Sequence, residues 1–226
     1  YRNDIEEQDE ENSQDVGNIL DNIPSELARH DSASKTNEFH FSHLDKNARL
    51  REYQGPLRWL DEAMIVNLAR NTTEPSPALT LKLDDRRLKC YLMDTGLLIN
   101  LSFGDGNYID NDLYNAILTD RLHVNEGMFV ENVIAQCLRI NGHKIVFYVE
   151  YDKNGNMLLD IDFLIRKDKK VIPIEAKSGE KYTIKSLEKL KKKFSNKIGL
   201  QYVLHEGDIK RENEILYFPY YIASIL

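Results

Sequence analysis

At 226 residues the chain is long enough for one large or two small domains with a real apolar core. No apolar run reaches the roughly 20 residues of a membrane span, and no signal peptide opens the chain, which predicts a protein without a membrane partner in a cytoplasmic setting. The formal net charge is −7, but residues 1–15 carry seven acidic groups against Arg2, so −6 of it sits there and the remainder, near neutral, does not exclude a nucleic-acid partner.

That opening stretch, 1–15, reads as an acidic linker or the charged start of a helix, and a chain beginning at Tyr1 rather than Met suggests a piece of something longer. From Val16 the pattern is helical, with Ile19, Leu20, Ile23 and Leu27 on one face before a polar break from His30 to Asn37. A second helical segment, Asp45 to Ala63, is interrupted at Gly55-Pro56, with Pro56 opening a new helix. Two β-leaning runs follow, Met64 to Arg70 and Ala78 to Leu83. Helices followed by a two-stranded ribbon predict a helical, winged-helix-like domain over 16–100. Arg49, Arg51 and Arg58 would then touch phosphates, or form an ordinary solvated arginine surface. Leu88 to Leu98 reads as a strand running into a helix capped by Asp94.

A polar loop leads to a helix from Met128 to Ile140, stopped by Asn141-Gly142, with Glu131 bordering its apolar face. Lys144 to Tyr151 is a strand turned by Asp152 to Asn156 into a hairpin. A helix from Ile184 to Phe194 buries Ile184, Leu187, Leu190 and Phe194 and exposes lysines that include Lys185, Lys189 and Lys192, either a solvated face or a nucleic-acid contact. Strands from Ile198 to Leu204 and from Glu214 to Tyr221 close the chain. Residues 101–226 thus form an α/β domain in the order αβββαβ. The cysteines, Cys90 and Cys137, lie far apart in apolar patterns and read as reduced buried thiols.

The hairpin over 157–178 carries charge at the centre of two apolar runs. Opposed residues of a hairpin have a constant sum, and a turn at Asp168-Lys169 sets Asp162 opposite Glu175 and Asp160 opposite Lys177. Side chains alternate, so these four share one face, while Leu159, Ile161, Phe163, Ile165, Ile172, Ile174 and Ala176 form an apolar one. Like charges directly opposed are destabilising. Asp162 and Glu175 therefore predict a cation between them: a hard ion such as Mg²⁺, completed by water and phosphate oxygens, or the Lys177 ammonium in a structural ion pair. Beside an ion, Lys177 would orient water or stabilise developing phosphoryl charge.

With Asp162, Glu175-Ala176-Lys177 and helical Glu131 in an αβββαβ order, the chain resembles the PD-(D/E)XK nuclease superfamily. Asp45 to Leu60, Lys89 to Leu98, Gly127 to Glu131, Asp160 to Leu164, Ile172 to Lys177, Lys185-Ser-Leu187 and Phe218-Pro-Tyr-Tyr221 together resemble the C-terminal half of a family of prokaryotic AAA-type ATPases that carry a domain of unknown function after the ATPase module. The resemblance implies Asp162 and Glu175 as ligands of Mg²⁺ or Mn²⁺, Glu131 as an outer or third ligand, Lys177 as the catalytic lysine, Asp160 and Lys185 as supporting groups, DNA as substrate, and an upstream ATPase domain of the same polypeptide as partner. The family commonly has Glu where this chain has Asp160. A Gly-x-x-x-x-Gly-Lys-Ser/Thr loop is absent, so no ATP is expected on this chain. Two functions follow: a metal-dependent DNA endonuclease, or a catalytically inactive nuclease-like module that docks DNA or protein and regulates the ATPase.

Overall fold

A computed structural model of the chain describes residues 13–31, 37–46, 48–103, 126–179 and 182–226. Most of the acidic opening and most of the polar loop after α3 (below) fall outside the described residues. The chain is mixed α/β, with helices and two mixed sheets. It divides into two compact units, one formed by residues 1–68 and 89–128, the other by 69–88 and 129–226. Among the described residues no helix is long and apolar enough to cross a membrane.

In the first unit, α1 (Ser13–Leu27) buries Val16, Ile19, Leu20, Ile23 and Leu27, the stripe expected from the sequence, and runs through Pro24. The second helix, α2 (Leu50–Glu62), is continuous across Gly55-Pro56, so the expected break and restart at Pro56 is not there. Tyr53, Pro56, Leu57 and Leu60 explain why. Their spacing is one helical face, all four are buried, and packing of that face outweighs the backbone bond that proline cannot donate. The helix starts where the Glu52 carboxylate turns back to accept the Arg49 N–H at 3.0 Å. The third helix, α3 (Thr95–Phe103), begins as expected after Asp94, whose Oδ1 accepts the Gly96 N–H at 2.7 Å.

Strands β1 (Val66–Thr72) and β2 (Leu83–Leu92) cross the division between the units. The expected strand over Ala78 to Leu83 is instead a series of turns, and the strand begins at Leu83, in the charged run Asp84-Asp85-Arg86-Arg87. Together with β3 (Val146–Tyr151) and β4 (Met157–Ile161) they form a sheet in the order β2-β1-β3-β4, with β1 parallel to β3 and β3 antiparallel to β4.

The second unit also holds β5 (Phe163–Lys167), β6 (Lys170–Ala176), β7 (Gln201–His205), β8 (Lys210–Glu212) and β9 (Ile215–Pro219), in the sheet order β5-β6-β7-β9-β8. Helix α4 (Glu126–Ile140) precedes β3, and α5 (Lys185–Lys193) lies between β6 and β7. Leu187 and Leu190 of α5 are fully buried against a cluster that includes Tyr148, Ile161, Leu164 and Val203. From α4 onward the sequence order of helices and strands matches the expectation, except that the single strand expected over the first arm of the hairpin is split at Asp162 into β4 and β5 and a short β8 is added.

Candidate functional site

From Phe163–Ile174 to Lys167–Lys170 the hairpin register is the expected one, around the two-residue turn Asp168-Lys169, but the pairing stops there and the expected opposition of Asp162 and Glu175 falls outside it. Asp168 takes a left-handed φ of 56°, which Asp tolerates better than most side chains. Leu164 and Val171 are fully buried, so both faces of the hairpin are covered rather than the one face expected.

At Asp162 the strand bends. The Asp162 Oδ2 accepts the Ala176 N–H at 2.8 Å, so a side chain takes the place of a ladder carbonyl. Beyond the bend, β4 turns to β3, where Asp160 pairs with Val149; the expected opposition of Asp160 and Lys177 is therefore replaced. Glu175 stands on β6, and Lys177 follows it at the strand's end, where its N–H donates to the Leu204 carbonyl at 2.9 Å and its carbonyl accepts the Tyr220 hydroxyl at 2.7 Å. These two backbone anchors hold the lysine stem on both sides.

Asp162 and Glu175 are each 3% exposed. Lys177 Nζ lies 2.5 Å from Glu175 Oε2, while Glu175 Oε1 is buried without a hydrogen-bond partner among the described residues. Burial pushes the Glu175 carboxyl well above the usual carboxylate range, the charge of Asp162 pushes it further, and the Lys177 ammonium only partly offsets both. Burial opposes the charge of Lys177, but the charges of Glu175, Asp162 and Glu131 together outweigh it and hold the ammonium firmly protonated. Glu131, buried on α4, and Asp160, on β4, thus belong to the same electrostatic neighbourhood.

Two carboxylates that repel each other, with one carboxylate oxygen buried and unpartnered, fit a hard divalent ion held by oxygen ligands. Asp162 and Glu175 are the residues that would hold it, with Glu131 and Asp160 adding negative charge around them. Lys177 occupies part of the space beside Glu175 that such an ion would share.

Lys185 opens α5 and is exposed, as is Lys192. The other lysines of the helix are tied to the fold. Lys189 reaches the Leu158 carbonyl at 3.3 Å, Lys191 reaches the carbonyls of Ile198 and Gly199 and the Glu214 carboxylate, and Lys193 reaches Glu150 at 2.5 Å. Arg49, Arg51 and Arg58 are exposed on α2 and its approach, in the first unit.

Sequence reasoning passed over two groups. Tyr182 and His205 meet at 3.0 Å, phenol oxygen to Nδ1. Nε2 of His205 faces the Asp208 carbonyl at 3.3 Å, so in the neutral ring Nε2 carries the proton and Nδ1 accepts from Tyr182. The β6–β7 register, in which Ala176 pairs with Leu204, sets His205 beside Lys177. In the first unit Glu26, His40 and His43 converge; the spacing His-Phe-Ser-His was the available signal.

Residues 126–221 match the family described as domain of unknown function (DUF4143), and residues 1–107 match another described as domain of unknown function (DUF8612). No curated protein and no solved structure matches the chain. The first match covers the stretch from α4 through β9, and with it Glu131, Asp160, Asp162, Glu175 and Lys177.

Proposed function

We propose that the second unit is a nuclease-like module of the PD-(D/E)XK kind, acting on DNA as a Mg²⁺- or Mn²⁺-dependent phosphodiesterase, and that the whole chain is the C-terminal region of an AAA-type ATPase working in the cytoplasm. The observation that carries this reading is the ion pair of the partly buried Lys177 with the buried Glu175, in the electrostatic neighbourhood of the buried Asp162, with Glu175 Oε1 left unpartnered among the described residues. A divalent ion bound there supplies Lewis-acid stabilisation of phosphate charge. Lys177, held protonated by its acidic neighbours, cannot accept a proton from water; it donates, either to the attacking water or to a phosphoryl oxygen. Tyr220 and Leu204 hold the Lys177 backbone, and Glu175 holds its ammonium. Exposed Lys185 and Lys192 would meet the nucleic-acid backbone, as would Arg49 and Arg51 if the first unit serves as a winged-helix-like dock.

Incubation of the chain with single- and double-stranded DNA in excess Mg²⁺ or Mn²⁺ tests the activity. Cleavage that disappears in Lys177→Ala and in Glu175→Ala is expected; no cleavage by the parent, or equal cleavage by Lys177→Ala, sinks it. A second reading, a catalytically inactive module that docks DNA or protein and regulates the ATPase, is favoured by the 2.5 Å contact of Lys177 with Glu175, which supplies a cation without a metal. Calorimetric titration separates the two, because the inactive module needs no Mn²⁺ site sensitive to Glu175→Ala.

A further inference from the structure

Glu26 stands in the last turn of α1, its side chain buried although the residue is charged. His40 and His43 bracket a single 3₁₀ turn (Phe41–His43), closed by the His43 N–H on the His40 carbonyl at 3.0 Å, which brings the two rings to a centroid separation of 5.3 Å. His40 Nδ1 lies 3.1 Å from Glu26 Oε2 and His43 Nδ1 lies 2.7 Å from Oε1. Among the described residues this is the one group of three or more His, Cys, Asp or Glu whose ligand atoms all lie within 4.8 Å of one another.

We propose that Glu26, His40 and His43 form a site for a divalent transition ion of the zinc class, bound by the two Nδ1 atoms and the carboxylate, with a coordination position left for water or a small ligand. Two imidazoles and one carboxylate are the donor set that suits zinc, whereas Mg²⁺ and Ca²⁺ take oxygen. Ligand atoms of a tetrahedral ion with bonds of about 2.0 Å sit roughly 3.3 Å apart. Outward tilts of a few tenths of an ångström in two partly exposed rings on a short turn reach that spacing, while the His40 N–H, donating to Oε2 at 3.0 Å, keeps the carboxylate in place. Arg29 Nε donates to Oε1 at 3.1 Å and can remain on that oxygen's second lone pair, orienting the ligand from behind. Its charge opposes the ion, but its side chain is 36% exposed and screened by solvent, and the negative charge of Glu38 also acts on His40. The carboxylate side of the cluster is closed and the imidazole side, with 42% and 35% of the ring-bearing side chains exposed, is open to an incoming ion.

The test is calorimetric titration of zinc into the whole chain carrying Glu175→Ala, so that the carboxylate pair of the second unit does not contribute. One ion per chain is expected, with proton release seen as a heat that differs between buffers of different ionisation enthalpy. His40→Ala/His43→Ala removes two of the three ligands and lowers the affinity by more than the roughly hundredfold that loss of an outer-shell partner costs. The imidazole nitrogen resonances of the folded parent provide a second measurement, independent of the double variant's folding: zinc shifts both Nδ1 signals. Undiminished zinc affinity in the folded double variant, or ring signals unmoved by excess zinc, overturns the proposal.

Discussion

Glu26 and Glu175 are both buried carboxylates on regular elements, and their surroundings drive them in opposite directions. Burial raises both. At Glu26 the hydrogen bonds from the His40 ring and backbone and from His43, with the charge of Arg29, outweigh that penalty, and the carboxyl lies below its ordinary range. In return, the hydrogen bond to Glu26 holds His40 above the usual imidazole range despite burial. At Glu175 burial is joined by the charge of Asp162, and Lys177 is the one donor among the described residues, so the carboxyl is driven upward. Burial alone therefore does not mark a functional acid; what decides is whether the donors suffice. Glu26 has its negative charge matched by nitrogen donors, which suits it to hold structure or a nitrogen-seeking metal. Glu175 is left short of positive charge, which suits it to an ion that brings its own.

The largest effect that sharpens this contrast is expected from Glu26→Gln. An amide cannot accept from His40 N, His40 Nδ1, His43 Nδ1 and Arg29 Nε together, and about 3 kcal/mol of stability should be lost. Urea unfolding followed by fluorescence of Trp59, the chain's single tryptophan, which lies on α2 in the same unit, reads it directly. A loss under about 1 kcal/mol would mean that the four donors are satisfied by water. Next comes Asp162→Ala, which deprives the Ala176 N–H of its acceptor at the strand break; about 2 kcal/mol is expected, measured by far-ultraviolet dichroism in urea.

Glu175→Gln should cost less than about 1 kcal/mol without divalent ions, since it removes a charge that its neighbourhood disfavours while Asp162 remains for Lys177. The same variant should abolish any rise in melting temperature that Mn²⁺ gives the parent. A cost as large as that of Glu26→Gln would erase the difference between the two sites.

The smallest effect concerns Glu74, which bridges Lys82 and Lys197 at the surface of the second unit. Hydrogen bonding to Lys197 and then Lys82 lowers its carboxyl to about 2. A carboxyl lowered in the folded state adds stability above its unfolded pKa and loses it as the pH falls through the folded value. Acid titration of stability should therefore be slightly shallower in Glu74→Gln below about pH 4.5, and high salt should remove the difference, as exposed pairs are screened.

Much of the second unit was legible because its signals are local. Period-two alternation and a two-residue turn fixed a constant sum, and that sum holds from Phe163–Ile174 to Lys167–Lys170. Helical spacing located α5, whose Leu187 and Leu190 face the core, and in the first unit α1; it also located α4, where Ile134 and Leu138 are buried but Val133 is exposed and Glu131 and Asn132 are buried instead. What escaped depends on groups distant in sequence. The break at Asp162 exists because its carboxylate captures an N–H fourteen residues away. The continuity of α2 through Pro56 exists because a buried face outweighs a local helix breaker. Lysines on α5 read as an exposed row, a solvated face or a nucleic-acid contact, whereas Lys189, Lys191 and Lys193 reach backbone carbonyls or carboxylates on other elements.

By itself, then, the sequence determined which residues could share a face: the alternation of Asp160 and Asp162 and of Glu175 and Lys177, and the spacing of His40 and His43, are properties of the chain that any strand or turn would express. Tertiary structure decided which of those residues have enough donors. Glu26 gained two imidazoles and a guanidinium, and Glu175 was left with an oxygen unpartnered among the described residues, because the number of hydrogen bonds that reach a buried carboxylate is set by elements packed around it and not by its neighbours in sequence.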